Sequence, residues 1–174
     1  MFKVQLDKNN NISINSFFMK PNYINLYNKL IKLTTNKYLY KGIVNRQDTF
    51  ADRLTFFLLH FAFFLKEFKN SENKLILQDI YDFNFRQLEL SIREIGYGDQ
   101  SINKKMKDYI NIFHNIVSEL HFWEDLNYDD KEKKLSSFLN NFDNTKYLVD
   151  YFEEFRVNLS KNTLNSYLKS VSTQ

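Results

Sequence analysis

Only three glycines and one proline are spread through these 174 residues. Tight hairpins, phosphate-cradling loops and dinucleotide fingerprints draw on glycine for backbone conformations that other residues avoid, so this scarcity disfavours both a sheet protein and a nucleotide loop. The economical fold class is all-α, a single helical-bundle-like domain of about six or seven helices. The length suits one domain with a core large enough to fold without staples. No cysteine is present, which excludes disulfides, thiol nucleophiles and cysteine-ligated metal clusters.

Hydrophobic spacing places the helices. Residues 1–20 show weak alternation and an asparagine run and are expected to form an irregular arm, with the helical domain spanning 21–174. After Pro21, the positions Tyr23, Leu26, Tyr27, Leu30 and Leu33 step by three and four along one helical face. A connector over 36–47 contains Gly42. Asp48 or Thr49 then suits the start of a long helix ending near Lys69, because either side chain can accept a bond from a free first-turn amide. Leu75 to Ile95 forms the next helix, closed by Gly96, and Asp99 or Ser101 restarts the chain. The stripe Ile102, Met106, Tyr109, Phe113, Ile116, Leu120 and Trp123 is the clearest helical periodicity in the sequence. Asp129 with Glu132 resembles a capping box. A further helix begins at Asn144 or Thr145 and is expected to break at Asn158. Ser160 caps a short last helix that frays from Ser170.

The most apolar segment, LTFFLLHFAFFL at Leu54 to Leu65, rises about 18 Å as a helix, short of the roughly 30 Å hydrocarbon layer of a bilayer. Apolar on every side and flanked by charges, it reads as a central helix surrounded by others. With no secretory or transit signal recognised, the expected location is cytoplasmic.

Charge is uneven. Residues 1–87 carry +6 and residues 88–174 carry −3, within a total of +3. From Lys20 to Arg46 there are six basic residues and no acid, so Lys29, Lys32, Lys37, Lys41 and Arg46 can attract phosphate. The interleaved Tyr23, Tyr27, Tyr38 and Tyr40 can stack on unpaired bases or lie at a lipid boundary. A solvated lysine face is the simpler alternative.

Catalytic signals are sparse. His60, His114 and His121 are the only histidines, and their spacing does not suit a metal site, so partly buried structural histidines are expected and no cofactor is assigned. An enzyme would have to rest on His114, His121 and Glu119 gathering around a pocket. Adjacent carboxylates such as Glu153 and Glu154 point about 100° apart on a helix and read as solvated surface. Residues 93–99 spend two of the three glycines on one tight connection.

The runs RQDTFADRLTFFLLHFAFFL at Arg46 to Leu65 and YDFNFRQLELSIREIGYGDQSINKKMKDYINIFHNIV at Tyr81 to Val117 resemble the ubiquinol-cytochrome c chaperone family, over roughly residues 22–123. The motif positions are Asp48, Thr49, Phe50, Leu59 and His60, then the turn Arg93, Glu94, Gly96, Gly98 and Asp99 followed by Lys104, Lys105, Met106 and Lys107. The resemblance implies an all-helical, non-enzymatic assembly chaperone for respiratory complex III. Such a protein binds newly made cytochrome b or an assembly intermediate, near a ribosome or an anionic membrane surface, peripheral to the inner membrane of a bacterium, with a small partner subunit a further candidate partner. A client groove is expected along Phe50, Phe57, His60, Phe61, Phe64, Tyr81 and Phe85, and anionic contacts at the basic segment. A helical ribosome- or RNA-associated binding module is the alternative. The tail after Asp125 matches nothing in the resemblance.

Overall fold

The computed structural model describes residues 14–43, 47–139 and 142–172, with side chains described from Tyr23 onwards in the first helix. Among the described residues the chain forms α-helices and short 3-10 turns and no strand. The α-helices are α1 (Ile14–Leu33), α2 (Phe50–Phe68), α3 (Lys74–Glu94), α4 (Asp99–Glu119), α5 (Tyr128–Phe138), α6 (Lys146–Ser160) and α7 (Leu164–Ser172). The 3-10 turns are Lys37–Tyr40 and Trp123–Asp125.

Helix α2 is the axis of the core, packing against α1, α4 and α6. Its start is fixed locally. The Thr49 side chain accepts from the Asp52 amide at 3.2 Å while the Asp52 carboxylate accepts from the Thr49 amide at 2.8 Å, a reciprocal cap that satisfies donors with no intrahelical partner. Every residue from Phe56 to Phe64 is buried, as a helix apolar on all sides must be. Phe63 stacks on Phe152 of α6 at 5.0 Å between centroids and meets Trp123 edge-on at 5.1 Å. Phe61 stacks on Phe113 of α4 at 5.2 Å.

The unmatched tail completes this core. Besides α6 on α2, the last helix α7 docks on α1 and brings the two ends of the described chain together. Gly42 permits a close approach between the first connector and the α5–α6 loop: a Cβ there would collide with the Asn144 carbonyl oxygen. The Gly42 amide donates to the Tyr147 hydroxyl at 2.9 Å, and that hydroxyl donates to the Leu39 carbonyl at 2.9 Å.

Several boundaries differ from the sequence expectations. Helix α1 starts at Ile14 and carries Pro21 within it, so residues 14–20 are helical rather than part of the expected arm, and residues 1–13 lie outside the described residues. Helix α4 starts after Gly98 rather than at an Asp99 or Ser101 cap, and it ends at Glu119, leaving Trp123 in a 3-10 turn, still fully buried. The cap of α5 is Asn127, whose side chain accepts from the Asp130 amide at 2.9 Å. Asn158 does not break α6, because the mild helix cost of asparagine is outweighed by burial of the neighbouring Leu159. The last helix is opened by Thr163, which accepts from the Ser166 amide at 3.2 Å, rather than by Ser160. Its end holds to Ser172 because Val171 is buried.

Candidate functional site

The α3–α4 connection is a tight corner. Gly96 has φ +96°, a left-handed conformation that side-chain-bearing residues rarely take, and its amide donates to the Arg93 carbonyl at 2.9 Å. The Arg93 guanidinium donates to Glu89 Oε1 through Nε at 3.1 Å and Nη2 at 2.8 Å, and through Nη1 to Asp99. One side chain therefore ties the last turn of α3 to the first residue of α4. Asp99 sits where the positive end of the α4 dipole favours an anion. Below the corner, Ile102 and Met106 are buried and anchor α4.

What this corner displays is apolar. Ile95 is 58% exposed, Tyr97 43% and Leu90 44%. Lys105 sits over the Tyr97 ring at 4.6 Å, and Lys104, Lys107 and Glu94 face solvent. The motif residues 93–99 and 104–107 thus carry exposed apolar groups among both cations and the acids Glu94 and Asp99, with Arg93 bridging α3 to α4 through solvent-exposed ion pairs.

The residues expected to bound a client groove mostly lie elsewhere. Phe57, His60, Phe61, Phe64 and Phe85 are buried in the core, so their surfaces are consumed by packing; only Phe50 and the half-buried Tyr81 keep an outward face. His60 is structural. The Phe56 carbonyl can only accept, so His60 Nδ1 carries the proton and donates to it at 2.6 Å, and Nε2 accepts from the Tyr151 hydroxyl at 2.8 Å. Complete burial pushes the imidazole down to about 4. Burial likewise pushes the Tyr151 hydroxyl up to about 12.

His114 and His121 do not converge with Glu119. His114 Nε2 pairs with the Tyr81 hydroxyl at 3.1 Å, His121 packs beside Phe122, and Glu119 is bound to Lys134. No metal-holding group of histidines and carboxylates occurs among the described residues.

The basic segment is also divided. Lys29 is half-buried, whereas Lys32, Lys37 and Lys41 are exposed, with the Lys41 ammonium 3.9 Å above the Tyr38 ring. Arg46 lies outside the described residues. The four tyrosines meant for stacking are engaged internally: Tyr23 with Phe83, Tyr27 with Phe57, Tyr40 with Phe56, and Tyr38 with Tyr147 and Tyr151.

The family model for the ubiquinol-cytochrome c chaperone matches residues 43–141, more than half of the chain and the whole of the α3–α4 corner. The chain belongs to the ubiquinol-cytochrome c chaperone family. No curated protein and no solved structure matches it significantly. The matched span of the chaperone starts later and runs further than the resemblance quoted above, taking in α5, while Lys29 to Lys41 fall outside it. Membership carries a chaperone role in complex III assembly. No helix among the described residues is long and apolar enough to cross a membrane.

Sequence reasoning singled out the corner for its glycines but missed its exposed Ile95 and Tyr97. Spacing gave no such signal for Ile95, which continues the stripe of Leu88 and Ile92 and was expected on the buried face; it is 58% exposed because α3 ends at Glu94 and Ile95 is its C-cap.

Proposed function

We propose that, in complex III assembly, this chaperone holds newly made cytochrome b by binding rather than by catalysis, with the α3–α4 corner as the principal contact. The observation that carries the reading is the exposed Ile95 and Tyr97 on a corner bridged by Arg93, inside the span matched by the family. Exposed apolar groups at a tight helix-to-helix corner suit an apolar client.

The exposed Lys32, Lys37 and Lys41, with Lys29, keep the chaperone at an anionic surface where the client emerges, at the inner membrane or a ribosome. Changing all four to glutamate weakens association with anionic liposomes or ribosomes, most at low salt; unchanged low-salt association removes that contact. The alternative of a general RNA-binding module is weakened by the inward engagement of the four tyrosine rings.

Deletion of the chaperone is expected to lower complex III and spectroscopic cytochrome b while the other respiratory complexes are retained. Equal loss of all complexes, or loss of none, contradicts the proposal.

A further inference from the structure

The α3–α4 hairpin has a second end, where the last turn of α2, the first two turns of α3 and the end of α4 enclose a groove of about 690 Å³. This volume is in the range of small-molecule sites. Leu65, Leu77, Tyr81 and Val117 give it an apolar floor. The polar lining gathers at the α2–α3 turn, where Lys66, Lys69 and Lys74 stand, with His121 beside Lys66. No aspartate or glutamate lines the groove. By contrast, the recess of about 420 Å³ beside Tyr38 and Tyr151 is lined by Asp150 and Glu154 and by no cation.

The cations are not equivalent. Lys66 is committed to Glu124 at 2.6 Å and to the His121 carbonyl at 2.9 Å. Lys69 and Lys74 are exposed, and neither ammonium has an ion pair among the described residues. The start of α3 adds positive potential to them. Asn73, at its N-cap, turns its side chain back to donate to the Phe68 carbonyl at 2.8 Å and makes no cap to the first-turn amides of a 21-residue helix. Two large apolar side chains flank the site in sequence and face solvent: Leu75, next to Lys74, is 79% exposed, and Phe122, next to His121, is 63% exposed.

From this polarity we infer that the groove binds one anionic phospholipid, its acyl chain along Leu77, Tyr81 and Val117 and its phosphate at Lys69, Lys74 and the first turn of α3. Charge at one end and a floor without charge leading away from it match an amphiphile. A polypeptide on the same floor would need partners for its backbone, and between Lys74 and Tyr81 the lining offers only the Gln78 amide. Leu75 and Phe122 would meet the membrane from which the chain is drawn, with the lysines at headgroup level. The inference does not rest on the identity of the protein client.

The test uses the purified full chain titrated with monomeric lysophosphatidylglycerol, below its micelle concentration, by calorimetry. Lysophosphatidylcholine serves as the zwitterionic control. Saturable one-to-one binding is expected. Lys69→Glu with Lys74→Glu should weaken lysophosphatidylglycerol binding tenfold or more, at roughly a factor of five for each headgroup lysine, and leave lysophosphatidylcholine binding unchanged. Val117→Trp, which fills the floor from a position 38% exposed, should abolish both while the thermal melt stays in place. Absence of saturable binding, or binding that survives both variants, overturns the inference. An acidic amphipathic peptide that occupies the groove without being displaced by lysophosphatidylglycerol also overturns it.

Discussion

From Phe56 to Phe64, α2 presents apolar side chains in every direction and leaves none of them to solvent; the α3–α4 corner has far fewer, yet Ile95 and Tyr97 stand open. Both regions fall inside the span matched by the family. Apolar density therefore does not locate a binding surface. A helix greasy on all sides must be enclosed, and α1, α4 and α6 enclose it. At the corner α3 ends at Glu94 and Gly96 turns the chain with φ +96°, leaving Ile95 and Tyr97 at the surface.

That contrast breaks first at Phe63. Phe63→Ala removes the stack on Phe152 and the edge contact with Trp123 and should cost about 3–5 kcal/mol, a large share of the total stability of a single domain. Urea denaturation followed by circular dichroism reads this directly. A loss below about 1 kcal/mol would mean that α2 is not the centre of the core.

His60 sharpens the same comparison through pH. Its imidazole falls from an ordinary value near 6.5 to about 4 on burial, so between those values the unfolded chain binds a proton that the folded chain does not. The stabilisation due to neutral His60 is fully present above pH 6.5 and declines as pH falls to about 4, by up to about 3 kcal/mol. His60→Gln does not titrate and can still donate to the Phe56 carbonyl. The stability gap between wild type and His60→Gln should therefore narrow as pH falls from 6.5 to 4. A gap constant across that window contradicts the burial of His60.

The features legible in the sequence were those set by local chemistry. A cap at Asp48 or Thr49 was legible, and the structure selects Thr49 with Asp52 as its reciprocal partner; Gly96 encodes a helix end by its freedom to reach φ +96°. The predominantly apolar Leu54 to Leu65 run correctly indicated a central helix. That same reading was in tension with assigning Phe57, Phe61 and Phe64 to a client groove, since one side chain cannot both fill the core and face a partner. Features set by distant contacts were hidden. Neither the docking of α7 on α1 nor the pairing of His60 with Tyr151, 91 residues away, has a local signature. The first helix was expected only after Pro21, but α1 runs through Pro21 from Ile14.

The smallest expected change in stability belongs to the corner. Ile95→Ser with Tyr97→Ser removes exposed groups and should lower the unfolding free energy by no more than about 0.5 kcal/mol for each residue, while removing the proposed client contact. The decisive measurement is the cytochrome b absorbance of cells in which this double variant replaces the native protein, read against cytochromes of the other complexes at equal chaperone level. Selective loss of cytochrome b with the chaperone still folded is the predicted result. Wild-type cytochrome b in those cells would contradict the assignment of the α3–α4 corner as the surface that holds the client.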